Sequence, residues 1–261
     1  MPGINLTNGL KEEYQNLFDQ CMIKTEKLPE IERIIQKLVN NKSRYETVAE
    51  QSKIPWYVIG SLHNMESSLN FNCHLHNGDP LTNRTTHVPA GRPVSGNPPF
   101  TWEDSAQDSL KLQRLDTWGD WSIPGILYKI EEYNGWGYRT RHPEVLSPYL
   151  WSGSNHYIRG KYVADGRWSD TAVSSQIGAA VIIRRLVEKN LIELETGIAS
   201  ETGRPLIYYS TRRIEYGEQL QQFLNQFPDI YLLTDGKPGQ KTSDAFKTVT
   251  GNYLYGDPRE E

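Results

Sequence analysis

The segment Pro55–Leu69 constrains this chain more than any other stretch. Trp56, Ile59, Leu62, Met65 and Leu69 recur at three- and four-residue spacing, the period of a helix that buries one stripe against a core. Pro55 suits the first helical turn, where its missing N–H costs nothing. Glu66 follows Leu62 by four positions and Ile59 by seven, which puts it on the margin of the stripe. A carboxyl there is partly desolvated, so its neutral form is favoured and its pKa rises. That is the state a general acid needs near neutral pH. The plain alternative is a rim glutamate at a helix end, with no chemistry attached.

The run Asn70–Pro93 that follows has no helical period and is dense in reactive groups. Asn77-Gly78 and Asp79-Pro80 are turn signals, so a hairpin or an irregular loop wall is expected beside the helix end. Asp79 is the only acidic residue of this loop, with Thr82 and Thr85 close by in sequence. A loop of this kind can set a second carboxylate opposite Glu66.

A helix ending in Glu66-Ser67-Ser68, followed by Asn70 and Phe71, resembles the lysozyme-like superfamily. That superfamily includes goose-type lysozymes and lytic transglycosylases, and its general acid is the Glu of a helix-terminal Glu-Ser motif. The later run Tyr133-Asn134-Gly135-Trp136-Gly137-Tyr138 is similar to its Tyr-Asn-Gly motif, which lines the sugar cleft. The order of Glu, loop carboxylate and Thr also resembles phage-type lysozymes, with a longer spacing here. The Gly-Leu-Met-Gln stretch of the transglycosylases is missing. The resemblance runs over roughly residues 50–190 and implies a glycoside hydrolase acting on a β-1,4-linked glycan. Glu66 would be the general acid and Asp79 the base of an inverting pair, whose carboxyls stand about 6.5–9.5 Å apart. Asp165 and Glu132 are the reserves for the second role. His63, Ser67, Asn70, His76, Thr82, Thr85, Tyr133, Asn134, Trp136 and Tyr157 are the expected substrate contacts.

The rest of the chain reads as scaffold and one appendage. Amphipathic helices are expected over Leu10–Thr25 and Pro29–Asn40, and a short one over Tyr45–Gln51. Thr101 to Asp104 opens another helix with a capping-box arrangement. A further helix runs from Asp120 to Tyr133, where Gly135 stops it. Leu146–Arg167 reads as a mixed loop, and Asp170 as the cap of a long helix through Ile177, Val181, Ile182 and Leu186. Arg139, Arg141, Arg159, Lys161 and Arg167 form a local excess of positive charge. Gly197–Pro205 is turn-rich and marks a boundary. Beyond it, Leu220-Gln221, Leu224-Asn225, Asp235-Gly236, Gly239 and Thr242 through Ala245 resemble the three-helix peptidoglycan-binding module. Thr242 or Ser243 would cap its last helix. The usual terminal Gln of that module is replaced by Thr250-Gly251, so the fold can persist without sugar binding. The expected fold is mainly α (α+β, lysozyme-like). It comprises a catalytic domain over residues 1–200, with the loop wall, and a small helical module over residues 206–261.

Composition narrows the function classes. With 261 residues and 37% hydrophobic content, the chain has enough material for a large domain and a small one. A net charge of −4 argues against general nucleic-acid binding, which needs a basic face. No run has the length of a membrane helix, and the start lacks a signal-peptide pattern. Synthesis in the cytosol is therefore expected, with action at a cell wall or periplasm after lysis or assisted export. Two cysteines, Cys21 and Cys73, make no disulfide framework. A monomer acting on peptidoglycan or a related glycan, without cofactor or metal, is expected. Two other classes stay open. One is a zinc hydrolase drawing on His63, Glu66, Cys73, His74, His76, Asp79 and His87. The other is a non-catalytic glycan binder on a lysozyme fold.

Overall fold

The computed structural model describes residues 3–164, 166–194 and 207–259. Among them the chain is mainly helical, with eleven α-helices and one two-stranded sheet. It divides into two compact units, Met1–Gly197 and Ile198–Glu261. The division falls inside the turn-rich stretch expected as a boundary. No helix among the described residues is long and apolar enough to cross a membrane.

The first unit opens with α1 (Asn8–Asp19), α2 (Leu28–Asn40), α3 (Lys42–Ser52) and α4 (Trp56–Ser67). The first of these stops six residues before the expected Thr25, and a 3₁₀ turn at Thr25–Lys27 leads into α2. Helix α4 is the hub, packed against α2, α3 and the later α6 (Ile123–Asn134) and α9 (Ala179–Glu188). Every residue from Tyr57 to Met65 is buried, so this helix is covered on all faces and not along one stripe. The polar members of the run, Ser61, His63 and Asn64, are covered along with the apolar ones. Gly60 permits the tightest of these contacts, since a Cβ there would come within 2.8 Å of Leu38 Cδ2.

The helices that follow begin where their caps specify. Thr101 accepts from the Asp104 amide at 3.1 Å to open α5 (Trp102–Leu112). Ser122 caps α6, and Gly135 at φ 86° ends it. Short α7 (Gly137–Arg141) and α8 (Pro148–Trp151) follow. Helix α9 starts at Ala179 with Gly178 as its cap, and not at Asp170, whose carboxylate instead accepts from the Trp168 indole at 2.7 Å. Gly178 meets the Leu150 carbonyl so closely that no Cβ fits between them.

Part of the expected loop Leu146–Arg167 is a β-hairpin, β1 (Lys161–Ala164) pairing antiparallel with β2 (Arg167–Ser169). Its cross-strand pair Tyr162–Trp168 packs with Tyr138, and His142 stacks on Trp168 at 3.5 Å. Aromatic cross-strand pairs stabilise such hairpins, but only once α7 supplies a surface for them. Asp165, a reserve for the second carboxylate, lies outside the described residues. The wall between α4 and α5 is irregular, with a single isolated bridge, Cys73–Pro80.

The second unit has α10 (Gly217–Leu224) and α11 (Gln240–Thr250), two helices among the described residues where three were expected. Leu220, Leu224, Ile230, Ala245 and Leu254 form its own small core. Gln221 is buried and ties the two halves together. Its amide nitrogen donates to Asp235 at 3.0 Å and to Thr242 Oγ1 at 3.3 Å, and its oxygen accepts from the Gly236 amide at 2.8 Å. Gly239, and not Thr242 or Ser243, caps α11. Both hydroxyls are engaged elsewhere, Thr242 by Gln221 and Ser243 by the Leu254 amide at 3.1 Å.

Candidate active site

Glu66 sits on the last turn of α4, at a helix end closed by strained backbone. Ser68 and Leu69 are both left-handed, at φ 53° and 62°, a conformation costly for residues with a side chain. Their amides return to the Asn64 and His63 carbonyls at 3.1 and 3.3 Å, which satisfies acceptors the helix end would otherwise leave open. Gln176 adds donors to the Asn64 and Met65 carbonyls at 3.2 and 2.7 Å. The turn Asn77–Asp79 packs onto the same end. Gly78 has φ 80°, and a Cβ there would stand 2.9 Å from the Glu66 carbonyl oxygen. Glycine is therefore required both for the turn and for the approach. The polar loop does lie beside the helix end, as the turn signals predict.

The carboxyl of Glu66 is set among tyrosines. Tyr149, from α8, donates its hydroxyl to Oε1 at 2.6 Å. Tyr133, from the end of α6, lies close enough for an ionised Glu66 to disfavour its phenolate. Its hydroxyl is held by the Leu75 carbonyl at 2.9 Å and Ser109 at 2.6 Å. Burial pushes the Glu66 carboxyl up to about 7, and the hydrogen bond from Tyr149 pulls in the opposite direction. Tyr149 is itself held well above the ordinary tyrosine range, by burial first and by Glu66 second. It therefore stays a phenol and a donor. With Oε1 accepting from Tyr149, the proton of the neutral acid belongs on Oε2, which accepts no hydrogen bond from the described residues. The arrangement is a partly buried carboxyl that keeps a large share of its proton up to about pH 7, with one oxygen anchored by Tyr149 and the other without a donor among the described residues.

Asp79 has a different environment. Its Oδ2 accepts from the Thr86 and His87 amides at 2.7 and 2.9 Å, and Oδ1 pairs with the His87 ring at 2.6 Å. Burial works against its charge, but these hydrogen bonds from His87 and Thr86 together outweigh it and hold the carboxyl well below the usual range. The expectation of a base facing Glu66 is corrected here: the carboxylate is turned into its own loop, where it clasps residues 86 and 87. Glu132, the other reserve, is ion-paired with Lys129.

The expected substrate contacts separate into two groups. His63 has no exposed surface. Its Nδ1 bonds Tyr45 at 3.0 Å, and its ring packs 4.6 Å from those of Phe71 and Trp102. Burial pushes it down to about 4, against the Asn70 backbone, so it is a neutral core histidine. The one-turn spacing to Glu66 misleads because α4 is covered on all faces. His76 is likewise interior and bonds Asp108 at 2.8 Å, while Asp108 forks to Arg92 with two contacts of 2.8 Å. Thr85 is buried and fastens Pro89 and Arg92 within the loop. Trp136 is buried against Tyr128 at 5.2 Å. Tyr157 is buried, with its hydroxyl between Gly160 and Ser174. These five cannot meet a substrate as they stand. Ser67 and Tyr133 are half-buried, and Asn70, Thr82 and Asn134 are exposed.

The zinc pool is dispersed in the same way. His74 bonds Ser105 and the Asn83 carbonyl, both at 2.8 Å, and His87 is spent on Asp79. Among the described residues, no group of three or more His, Cys, Asp or Glu side chains is placed to hold a metal ion. Ser105, His76 and Asp108 line up as hydroxyl, imidazole and carboxylate, at 3.5 and 2.8 Å. Ser105 has no exposed surface, so the row braces the loop wall against α5 and is not a nucleophile system. Tyr149 is the residue that motif reading missed. It stands 83 positions from Glu66, and its only signal was its place in a run rich in rings and hydroxyls. Compared with known proteins, the chain matches no family model, no curated protein and no solved structure.

Proposed function

We propose that this chain is a glycoside hydrolase of lysozyme-like type that cleaves a β-1,4-linked glycan, peptidoglycan foremost, with Glu66 as the general acid. The observation that carries the reading is the Glu66 carboxyl itself, raised to about 7 by burial and anchored by Tyr149 at 2.6 Å. An acid neutral near the working pH is suited to protonate a leaving glycosidic oxygen. Oε2 is the donor, and Tyr149 steadies the carboxylate that remains. The exposed Asn70, Thr82 and Asn134 offer amides and a hydroxyl for the sugar.

The state of Asp79 favours a one-carboxyl course over an inverting pair. A carboxylate whose lone pairs are filled by backbone amides is a weak base. In the one-carboxyl course, Glu66 gives its proton to the leaving oxygen and then, as carboxylate, takes one back from the attacking hydroxyl. That hydroxyl belongs either to water or to the sugar itself. Mass spectrometry of digested peptidoglycan separates the two, since water adds 18 Da and internal attack does not. The decisive variant is Glu66→Gln, which keeps the shape and removes the proton. Its expected rate is about 10²–10⁴-fold below the parent. A variant that keeps a tenth of the parent rate sinks the proposal. Wall binding by a parent that releases neither the hydrated nor the internally closed product favours the non-catalytic binder.

A further inference from the structure

The first unit carries a pocket on the far flank of α4 from Glu66. It encloses about 490 Å³ between α2, the end of α4 and the segment that leads to Gly178. That volume lies within the range of small-ligand sites, about 300–1,000 Å³. Asn64 lines it. Two positions along a helix rotate the side chain by about 200°, so Asn64 and Glu66 point to opposite sides. The pocket floor holds hydrogen-bonding capacity that the fold leaves unused. Asn64 is only 6% exposed. Among the described residues its side-chain nitrogen meets nothing but Met65 Sδ, at 4.0 Å, and its side-chain oxygen has no partner. Buried amides are nearly always paired, so this one calls for a group inside the pocket. Gln176 beside it commits its nitrogen to the Asn64 and Met65 carbonyls, at 3.2 and 2.7 Å, which leaves its oxygen as an acceptor.

Water alone would satisfy the carboxamide, but the rim adds charge. Arg33 and Lys37 stand one turn apart on the exposed side of α2, and both line the pocket. Side chains at this spacing are neighbours, so both reach one anion. Arg33 Nε donates to the Pro29 carbonyl at 3.2 Å, and neither cation has an ion-pair partner among the described residues. One carboxylate also lines the pocket, Glu30, which is paired with Lys27 at 3.3 Å. Lys27, Arg33 and Lys37 against Glu30 leave two surplus positive charges. We infer that this pocket binds a small phosphate monoester, its head between Arg33 and Lys37 and its hydroxyl-bearing body on Asn64 and Gln176. A phosphate monoester carries a charge of about −1.5 to −2 at pH 7, which matches the surplus, and a guanidinium forks onto its oxygens. A single carboxylate leaves one of the two cations uncompensated. Ile34 and Ile177 wall the space for the carbon skeleton. Nothing in the inference depends on cleavage by Glu66.

The test titrates the full chain in a calorimeter, at constant ionic strength, with glycerol 3-phosphate and glucose 6-phosphate. Glycerol, glycerate and inorganic phosphate are the comparison ligands. At least one of the two esters is expected to bind at one site per chain. It should bind more tightly than inorganic phosphate, which lacks the body, and than glycerate, which lacks the second charge; glycerol should give no binding. Arg33→Ala and Lys37→Ala should each weaken ester binding about tenfold, the order of one lost hydrogen bond to a charged group. Neither should lower the melting temperature, since both side chains are exposed. Glu30→Gln should tighten binding, because it removes the one opposing charge on the rim. Asn64→Ser should bring the ester down to the affinity of inorganic phosphate; because Asn64 is buried, its variant is read only if it melts as the parent does, and the rim variants decide otherwise. A parent that binds neither ester overturns the inference. So does ester binding that is unchanged in both rim variants, or glycerate bound as tightly as the esters.

Discussion

Replacing Glu66 by Gln should change how the stability of the first unit depends on pH, independently of any substrate. The carboxyl rises from an ordinary 4.5 to about 7 on folding, because burial disfavours its charge. Between those two values the folded chain holds a proton that the unfolded chain has released. Stability therefore falls as pH rises through this window, and is level below 4.5 and above 7. At about 1.36 kcal/mol per pH unit, the full effect is about 3 kcal/mol. Because Glu66 keeps some contact with solvent, about 1–3 kcal/mol is the expected size after screening. Glutamine does not titrate, so Glu66→Gln should gain on the parent by that amount between pH 4 and pH 8. All seven tryptophans lie before residue 198, so indole fluorescence in a urea titration reports the first unit alone. Unfolding midpoints of both proteins, measured at half-unit pH steps, give the difference directly. Curves that stay parallel across the range would refute the claim that Glu66 is a buried acid with a raised pKa, and the catalytic proposal with it.

Tyr149→Phe removes the hydrogen bond that favours the Glu66 anion. It should move the alkaline limb of the pH–rate profile, expected near 7 in the parent, to higher pH and lower the maximal rate; an unmoved limb would show that the two side chains are not coupled. Asp108→Ala strands His76 and Arg92 and should destabilise the first unit by about 1–3 kcal/mol, read from the same fluorescence titration. Gly78→Ala forces a side chain against the Glu66 carbonyl. It should cost about 1–3 kcal/mol and depress cleavage more than Gly91→Ala, where a Cβ meets nothing and only the turn is strained. Gln221→Ala leaves the buried Gly236 amide and its neighbours unpaired. It should lower the protection of α10 and α11 in hydrogen exchange while tryptophan fluorescence is unchanged.

Local rules carry the helices and their ends. Thr101 and Ser122 cap α5 and α6, and Gly135 stops α6, because a hydroxyl within reach of a free amide, or a missing Cβ, acts over a few residues only. The same short range makes Glu66 legible at the edge of an apolar run, and Gly78 as the turn beside it. The rest depended on partners distant in the chain. Helix α4 reads as a one-sided stripe but is buried throughout, since α2, α3, α6 and α9 all choose it as their neighbour. That choice turns His63 from a cleft residue into a core one. Tyr149 reaches Glu66 only because α8 packs on α9. Gly178, and not Asp170, caps α9, and it must be glycine because the Leu150 carbonyl lies where a Cβ would stand. Asp79 had the composition of a catalytic base; the folded loop around Thr86 and His87 made it a clasp. What a residue type can do is written in the sequence. Which partner neutralises, buries or frees it depends on contacts between remote segments, and those exist only once the chain has folded.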